Sequence, residues 1–182
     1  RLEITADDLR EIICSPGPDD DKYSRGVVGL IVGSQEYPGA ALLSCEAALG
    51  AGVGMVRLVA PTSVQQVVLP ARPEVVVTPG KVDAVVVGCG IPEGRHSDIA
   101  QRLSTLSISA DTPVVVDAGA LGLTPSIPGI RVLTPHRAEL ARVARASGLS
   151  STDPREQATL LAAQWNVVVY LKGSRSVVVG PN

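Results

Sequence analysis

Aromatic side chains are almost missing from this sequence, which has no phenylalanine, one tryptophan and three tyrosines among 182 residues, 2% in all. The hydrophobic fraction is nevertheless 45%, so Val, Leu, Ile and Ala must fill the core. That chemistry suits β-strands buried on both faces of a parallel sheet. Cysteine is scarce as well. Cys14, Cys45 and Cys89 are odd in number and show no CxxC spacing, which argues against a disulfide framework and a zinc site and for a reducing, cytoplasmic setting. A basic block is also lacking: 16 basic and 18 acidic residues are spread along the chain to a net charge of -2. The electrostatic footprint of a nucleic-acid binder is therefore absent. No apolar run reaches the length of a membrane span, because Glu46, Arg57 and several glycines interrupt the stretch from Pro38 to Pro61. The opening RLEITADDLREII is acidic and amphipathic, without the cationic start and small-residue cleavage site of a secretory signal.

What is present reads as α/β. The length suits one domain over residues 1–182, burying roughly two thirds of its unfolded surface. No internal repeat, low-complexity tract or linker divides it. Valine-rich runs of strand length occur at 27–33, 83–88, 113–119, 131–135 and 167–173, with further strands expected at 55–61, 74–79 and from Ser176 onward. Helical patterns occupy 39–51, 97–106, 136–147 and 153–165. Asp153 is placed to cap the last of these, with Pro154 in its first turn and Glu156 three residues after the cap. Buried strands alternating with helices predict a mostly parallel sheet covered on both faces.

In such sheets ligands sit beyond the carboxyl ends of the strands, where helix N-termini offer free N–H groups. Five strand ends qualify. IVGSQEYPGA carries Gly33, Ser34, Gly39 and Ala40, a small-residue turn that suits either close ligand approach or helix-on-sheet packing. VVVGCG places Gly88 and Gly90 directly after a strand, as an anion nest or an ordinary turn. VVVDAGAL ends on Asp117, a capping, ligand-orienting or metal-binding carboxylate. LTPHRAEL offers Thr134 as N-cap, Pro135 at the first helical position and His136 in the first turn. LKGSRS brings Lys172 out of a strand before Gly173, with Ser174 and Ser176 following, either toward phosphate or around a hairpin. His96, in PEGRHSD, reads as surface loop. The charged stretch SPGPDDDKYSRG reads as a solvated loop, or one from which Lys22 or Arg25 reaches a phosphate.

The ordered series DKYSRGVVGLIVGSQEYPGAALLS, AALGAGVGMVRL, VVVGCG, VVVDAGAL, VLTPHRAEL and VVYLKGSRSVV resembles the ADP- or ATP-dependent NAD(P)H-hydrate dehydratases of the ribokinase-like superfamily, from about Asp20 to Asn182. The resemblance implies a three-layer α/β/α ribokinase-like fold with a central mostly parallel sheet. It also implies repair of hydrated NAD(P)H by phosphorylation of the added hydroxyl, with ADP or ATP as co-substrate and Mg2+ as cofactor. Carried over position by position, it assigns Ala40, Gly90 and His136 to the hydrated dinucleotide. It assigns Lys172, Gly173, Ser174, Arg175 and Ser176 to the adenine nucleotide. Asp117 matches the first acid of the family's Asp-Ala-Asp-Ala-Leu pattern, whose second acid is Gly119 here, so no protein metal ligand is assigned. The family's Gly-Thr-Gly-Asp motif, which holds the catalytic carboxylate, follows the strand after LKGSRS. This sequence reaches GPN without it, so that carboxylate is expected beyond Asn182. Residues are also expected to be missing around RPEVVVTPGKVDAVVVG. A homo-oligomer, commonly a tetramer in this family, and a partner NAD(P)H-hydrate epimerase are further implications of the resemblance. A ribokinase-like small-molecule kinase and a non-catalytic nucleotide-binding module are the alternative readings.

Overall fold

The computed structural model describes residues 5–13 and 17–181; Cys14 and the first two residues of the charged loop lie outside them. Helix α1 (Ala6–Ile12) begins in a reciprocal capping box. Asp8 N–H donates to Thr5 Oγ1 at 3.2 Å, and Thr5 N–H donates to Asp8 Oδ2 at 2.7 Å.

The valine-rich runs become β1 (Val27–Ile31), β2 (Met55–Leu58), β3 (Ala84–Val87), β4 (Pro113–Val116), β5 (Ile130–Leu133), β6 (Val168–Leu171) and β7 (Val177–Val179). They form one sheet of order β2-β1-β3-β4-β5-β6-β7. Neighbours are parallel except β7, which returns antiparallel along β6. The intervening helices are α2 (Pro38–Gly50), α3 (Thr62–Val68), α4 (His96–Leu103), α5 (Arg137–Ala146) and α6 (Pro154–Trp165), with a 3-10 segment at Ala118–Ser126. Asp153 caps α6 as the sequence predicts, accepting from Glu156 N–H at 3.0 Å with Pro154 in the first turn.

Side-chain alternation along the strands makes two cores. On one face Leu30, Val32, Val56 and Leu58 meet Ala41 and Cys45 of α2 and Val64 and Val68 of α3. On the other, Ile31, Val87, Val116, Leu133 and Val169 meet Ile99 of α4, Leu140 and Val143 of α5, and Leu161 of α6. This is the expected three-layer α/β/α arrangement. Among the described residues the first face is covered only as far as β3. Across β4 to β7 its residues include Ile130, Tyr170 and Val178, which are 54%, 39% and 63% exposed.

Three local expectations are corrected, and one helix, α3, is added to those expected. EVVVTP is no strand: only Val76 bridges to the sheet edge, donating to Val56 O at 3.0 Å and accepting from Leu58 N at 2.8 Å. Pro79, which has no N–H, and Gly80 follow at once and stop the ladder. TSVQQVV, rich in β-branched residues, is helical as α3 because burial of Val64 and Val68 outweighs weak local propensity. The run 113–119 leaves the sheet after Val116, and the 3-10 segment starts at Ala118, which adopts φ +46. His96 opens α4 rather than lying in a loop.

Candidate functional site

The order β2-β1-β3 contains a topological switch point. The chain leaves β1 into α2 on one face and leaves β3 into α4 on the other, so the two connections diverge and open a crevice beyond the strand ends. Gly33 and Gly90 meet in that crevice. Gly33 N–H donates to Cys89 O at 2.8 Å, and both glycines sit in the left-handed region, at φ +75 and +69. A Cβ on Gly90 would collide with the Ala40 methyl and lie 3.1 Å from Tyr37 O. The early pair Ala40 and Gly90 is therefore in direct contact, and a glycine is required there by conformation and by space. Tyr37 makes no side-chain cap to α2, which leaves its N-terminal end open to the crevice.

A cavity of about 350 Å3 adjoins this turn, lined by Ser34, Gln35, Arg95 and Arg102 among others. Arg102 grips Asp98 with Nε at 3.0 Å and Nη2 at 2.6 Å, and its Nη1 donates to Gly33 O at 3.4 Å. Sequence reading passed over both arginines, because nothing in PEGRHSDIAQRL signals that α4 points them at the β1 turn.

The second cluster is built on Asp117, directly after β4. Its Oδ1 accepts from Lys172 Nζ at 2.7 Å and from Thr134 Oγ1 at 3.0 Å, while Cys89 Sγ lies 3.5 Å from Oδ2. One carboxylate thus ties together the ends of four neighbouring strands. Burial, with the Asp117 charge beside it, pushes the Cys89 thiol up to about 12, so it meets the carboxylate as a neutral donor. Thr134 is consequently not the helix cap. That role falls to His136, whose Nδ1 accepts from Ala138 N–H at 3.2 Å and Glu139 N–H at 3.3 Å. Nδ1 is spent as an acceptor, so a neutral ring carries its proton on Nε2, which lies 3.5 Å from Glu139 Oε1.

His136 also bridges to Lys172 in the sheet, with Lys172 N–H donating to Pro135 O at 2.8 Å. Gly173, Ser174, Arg175 and Ser176 then turn the chain from β6 into antiparallel β7, so LKGSRS is a hairpin turn with its lysine at the strand end. Ser176 Oγ donates to Gly173 O at 3.4 Å and lies 3.1 Å from Tyr170 Oη, which holds the turn closed. Lys22 and Arg25 do not reach this end of the sheet. They precede β1, where Arg25 Nε donates to Gly52 O at 2.8 Å. A cavity of about 470 Å3 runs past His96, Arg142 and Trp165 and includes none of the sequence-derived site residues. Among the described residues no group of three or more acidic, histidine or cysteine side chains could cage a metal. Asp117 is already bound to an ammonium. The described residues therefore do not fit a magnesium site of their own.

A mostly parallel sheet between helices, with a crevice beyond the strand ends at its switch point, is a three-layer α/β fold. A ribokinase-like superfamily protein of Enterococcus faecalis has the same fold, with a TM-score of 0.79 over 97% of this chain and 68% of its own, at 20% identity. The chain belongs to the NAD(P)H-hydrate dehydratase family, whose model matches residues 28–182. A crystal structure of the ADP/ATP-dependent NAD(P)H-hydrate dehydratase of Bacillus subtilis, co-crystallised with ATP/Mg2+, is similar at 28% identity. Its TM-score is 0.76, over 97% of this chain and 68% of that one. The bifunctional NAD(P)H-hydrate repair enzyme of Corynebacterium glutamicum is 38% identical over 90% of this chain, which spans 31% of that protein's length.

Proposed function

We propose that this protein dehydrates hydrated NADH or NADPH back to NAD(P)H, driven by ADP or ATP. The observation that carries the reading is the two-part site, with a close-packed glycine turn at the switch point and a lysine hairpin beyond β6, in a chain matched by the family model over residues 28–182. We assign the hydrated dinucleotide to Ala40, Gly90 and His136, and the adenine nucleotide to Lys172, Gly173, Ser174, Arg175 and Ser176.

The chemistry asks for positioning and for charge stabilisation on a moving phosphoryl group. Gly90, packed on Ala40, holds the turn after β3 close to the open N-terminal end of α2, where a nucleotide can meet backbone N–H groups. His136, two strands away at the end of β5, carries Nε2–H as a hydrogen-bond donor. Lys172 supplies the cationic contact for phosphate oxygens, and the N–H groups of the 173–176 turn add neutral donors. Phosphorylation of the added hydroxyl makes it a leaving group, and its departure as inorganic phosphate, with loss of a proton from the adjacent ring carbon to water, restores the ring double bond of NAD(P)H. Magnesium, when carried in on the nucleotide, would supply further charge neutralisation.

Incubating the full-length gene product with hydrated NADH, ADP or ATP and magnesium should restore the reduced-nicotinamide absorbance. No recovery with either nucleotide sinks the reading, and accumulation of a stable phosphorylated product would replace it with a kinase. A homo-oligomer and an epimerase partner go with the same proposal. The name of the bifunctional Corynebacterium relative is consistent with the second of these.

A further inference from the structure

The Lys172 ammonium is already engaged before any anion arrives. Its Nζ is held at 2.7 Å by Asp117 Oδ1, the oxygen that also accepts from Thr134 Oγ1 at 3.0 Å. The carboxylate is the fixed member of the pair. It follows β4 directly, is gripped by Thr134 from β5 and contacted by Cys89 from the β3 turn, and its side chain is 19% exposed. Lys172 is the movable member, with a side chain 39% exposed at the mouth of the hairpin turn. A phosphate entering that turn therefore meets a lysine whose charge is spent, with a fixed negative charge behind it.

We propose that Asp117 is a counter-charge that holds Lys172 in the empty site and must yield it to the nucleotide's phosphate, and so sets how tightly nucleotide binds. The proposal rests on the reading that residues 172–176 hold the adenine nucleotide. Removing the carboxylate has two opposed effects. The lysine loses the ordering that the ion pair provides, which weakens binding modestly. The repulsion between the carboxylate and a multiply charged phosphate, roughly 5 Å away across the shared ammonium, also disappears. In a half-buried site that repulsion outweighs the ordering of one side chain several-fold. Neutralising Asp117 should therefore tighten the site. Asparagine suits the test because its amide oxygen, in the place of Oδ1, still accepts from Thr134, while its uncharged amide nitrogen takes the place of Oδ2 beside Cys89.

The experiment titrates ADP and ATP, without and with magnesium, into the wild-type chain, Asp117→Asn, Lys172→Met and the double variant, with thermal melts as folding controls. Asp117→Asn is expected to bind magnesium-free ADP about tenfold more tightly. Lys172→Met should weaken binding about two- to threefold in the wild-type background and tenfold or more with Asn at 117, where the lysine is free. Tighter binding is a result that damaged folding cannot produce. If Asp117→Asn melts below the working temperature, Asp117→Ser, which also keeps an acceptor, carries the same expectation. Unchanged or weaker nucleotide binding by a folded charge-neutral variant overturns the proposal. An equal cost of Lys172→Met in both backgrounds overturns it too. A wild-type chain that binds neither ADP nor ATP removes the nucleotide reading itself, and the counter-charge with it.

Discussion

Gly90 carries two demands at once, a left-handed backbone at φ +69 and no room for a methyl beside Ala40. Gly90→Ala should therefore destabilise the chain by about 1–3 kcal/mol and push the 88–92 turn away from α2. A thermal melt reads the first effect, and weakened binding of hydrated NADH reads the second. A melt indistinguishable from wild type would mean that the turn relaxes freely. Cys89 makes a pH-dependent case. Its thiol titrates near 9.0 when unfolded and is raised to about 12 in the fold, so between those values the unfolded chain has lost a proton that the folded chain keeps. The stability this provides is complete below about pH 9 and is lost as pH rises toward 12. Cys89→Ser should flatten that alkaline slope, read as melting midpoint against pH beside wild type; parallel slopes would refute it. The sequence exposed Gly90, Ala40, His136 and Lys172 as strand-end residues but hid what they touch. Asp117, Thr134 and Lys172 are far apart in sequence, and only the register of β4, β5 and β6 shows that one carboxylate serves the other two.

Elements were legible where local and tertiary signals agreed. α6 has both, an Asp153 cap with Pro154 at the first position and an inward face of Ala158, Leu161 and Ala162. Asp153→Ala should cost about 1 kcal/mol, seen as a lower urea midpoint with an unchanged slope. α5 tests the less legible kind of cap. Its sequence offers Thr134, Pro135 and His136 in a row, and the usual preference for threonine as N-cap misleads because Thr134 is drawn to Asp117 instead. His136→Asn, which keeps a cap acceptor, should melt close to wild type, whereas His136→Ala should lose about 0.5–2 kcal/mol. Equal loss in both would assign the stability to the ring's other contacts. α3 and the Val76 bridge were illegible for the complementary reason. Both are valine-rich, and what separates helix from single bridge is whether the side chains meet α2 or the chain runs into Pro79.

At the scale of the whole molecule the two faces of the sheet are unequally served. The face bearing Ile31, Val116, Leu133 and Val169 is covered by α4, α5, α6 and the 3-10 segment, while α2 and α3 stop at the other face of β1, β2 and β3. Composition made this consequential: a chain with 45% hydrophobic residues spends them on strands that need cover on both sides. Ile130 on β5 and, further along the same face, Tyr170 on β6 with Val178 opposite it on β7 are left in solvent, exposed apolar side chains of the kind that bind hydrophobic dyes and drive association. Substituting Ile130→Lys with Val178→Lys should cut uptake of an anilinonaphthalene dye by the 182-residue chain about twofold or more. Because both side chains are exposed, the melting midpoint should stay within about 3 °C of wild type. Sedimentation over a range of concentrations should show less self-association in the same variant. Dye uptake that persists with both lysines in place would put the adhesive surface elsewhere, the cavity beside Trp165 being the next place to substitute.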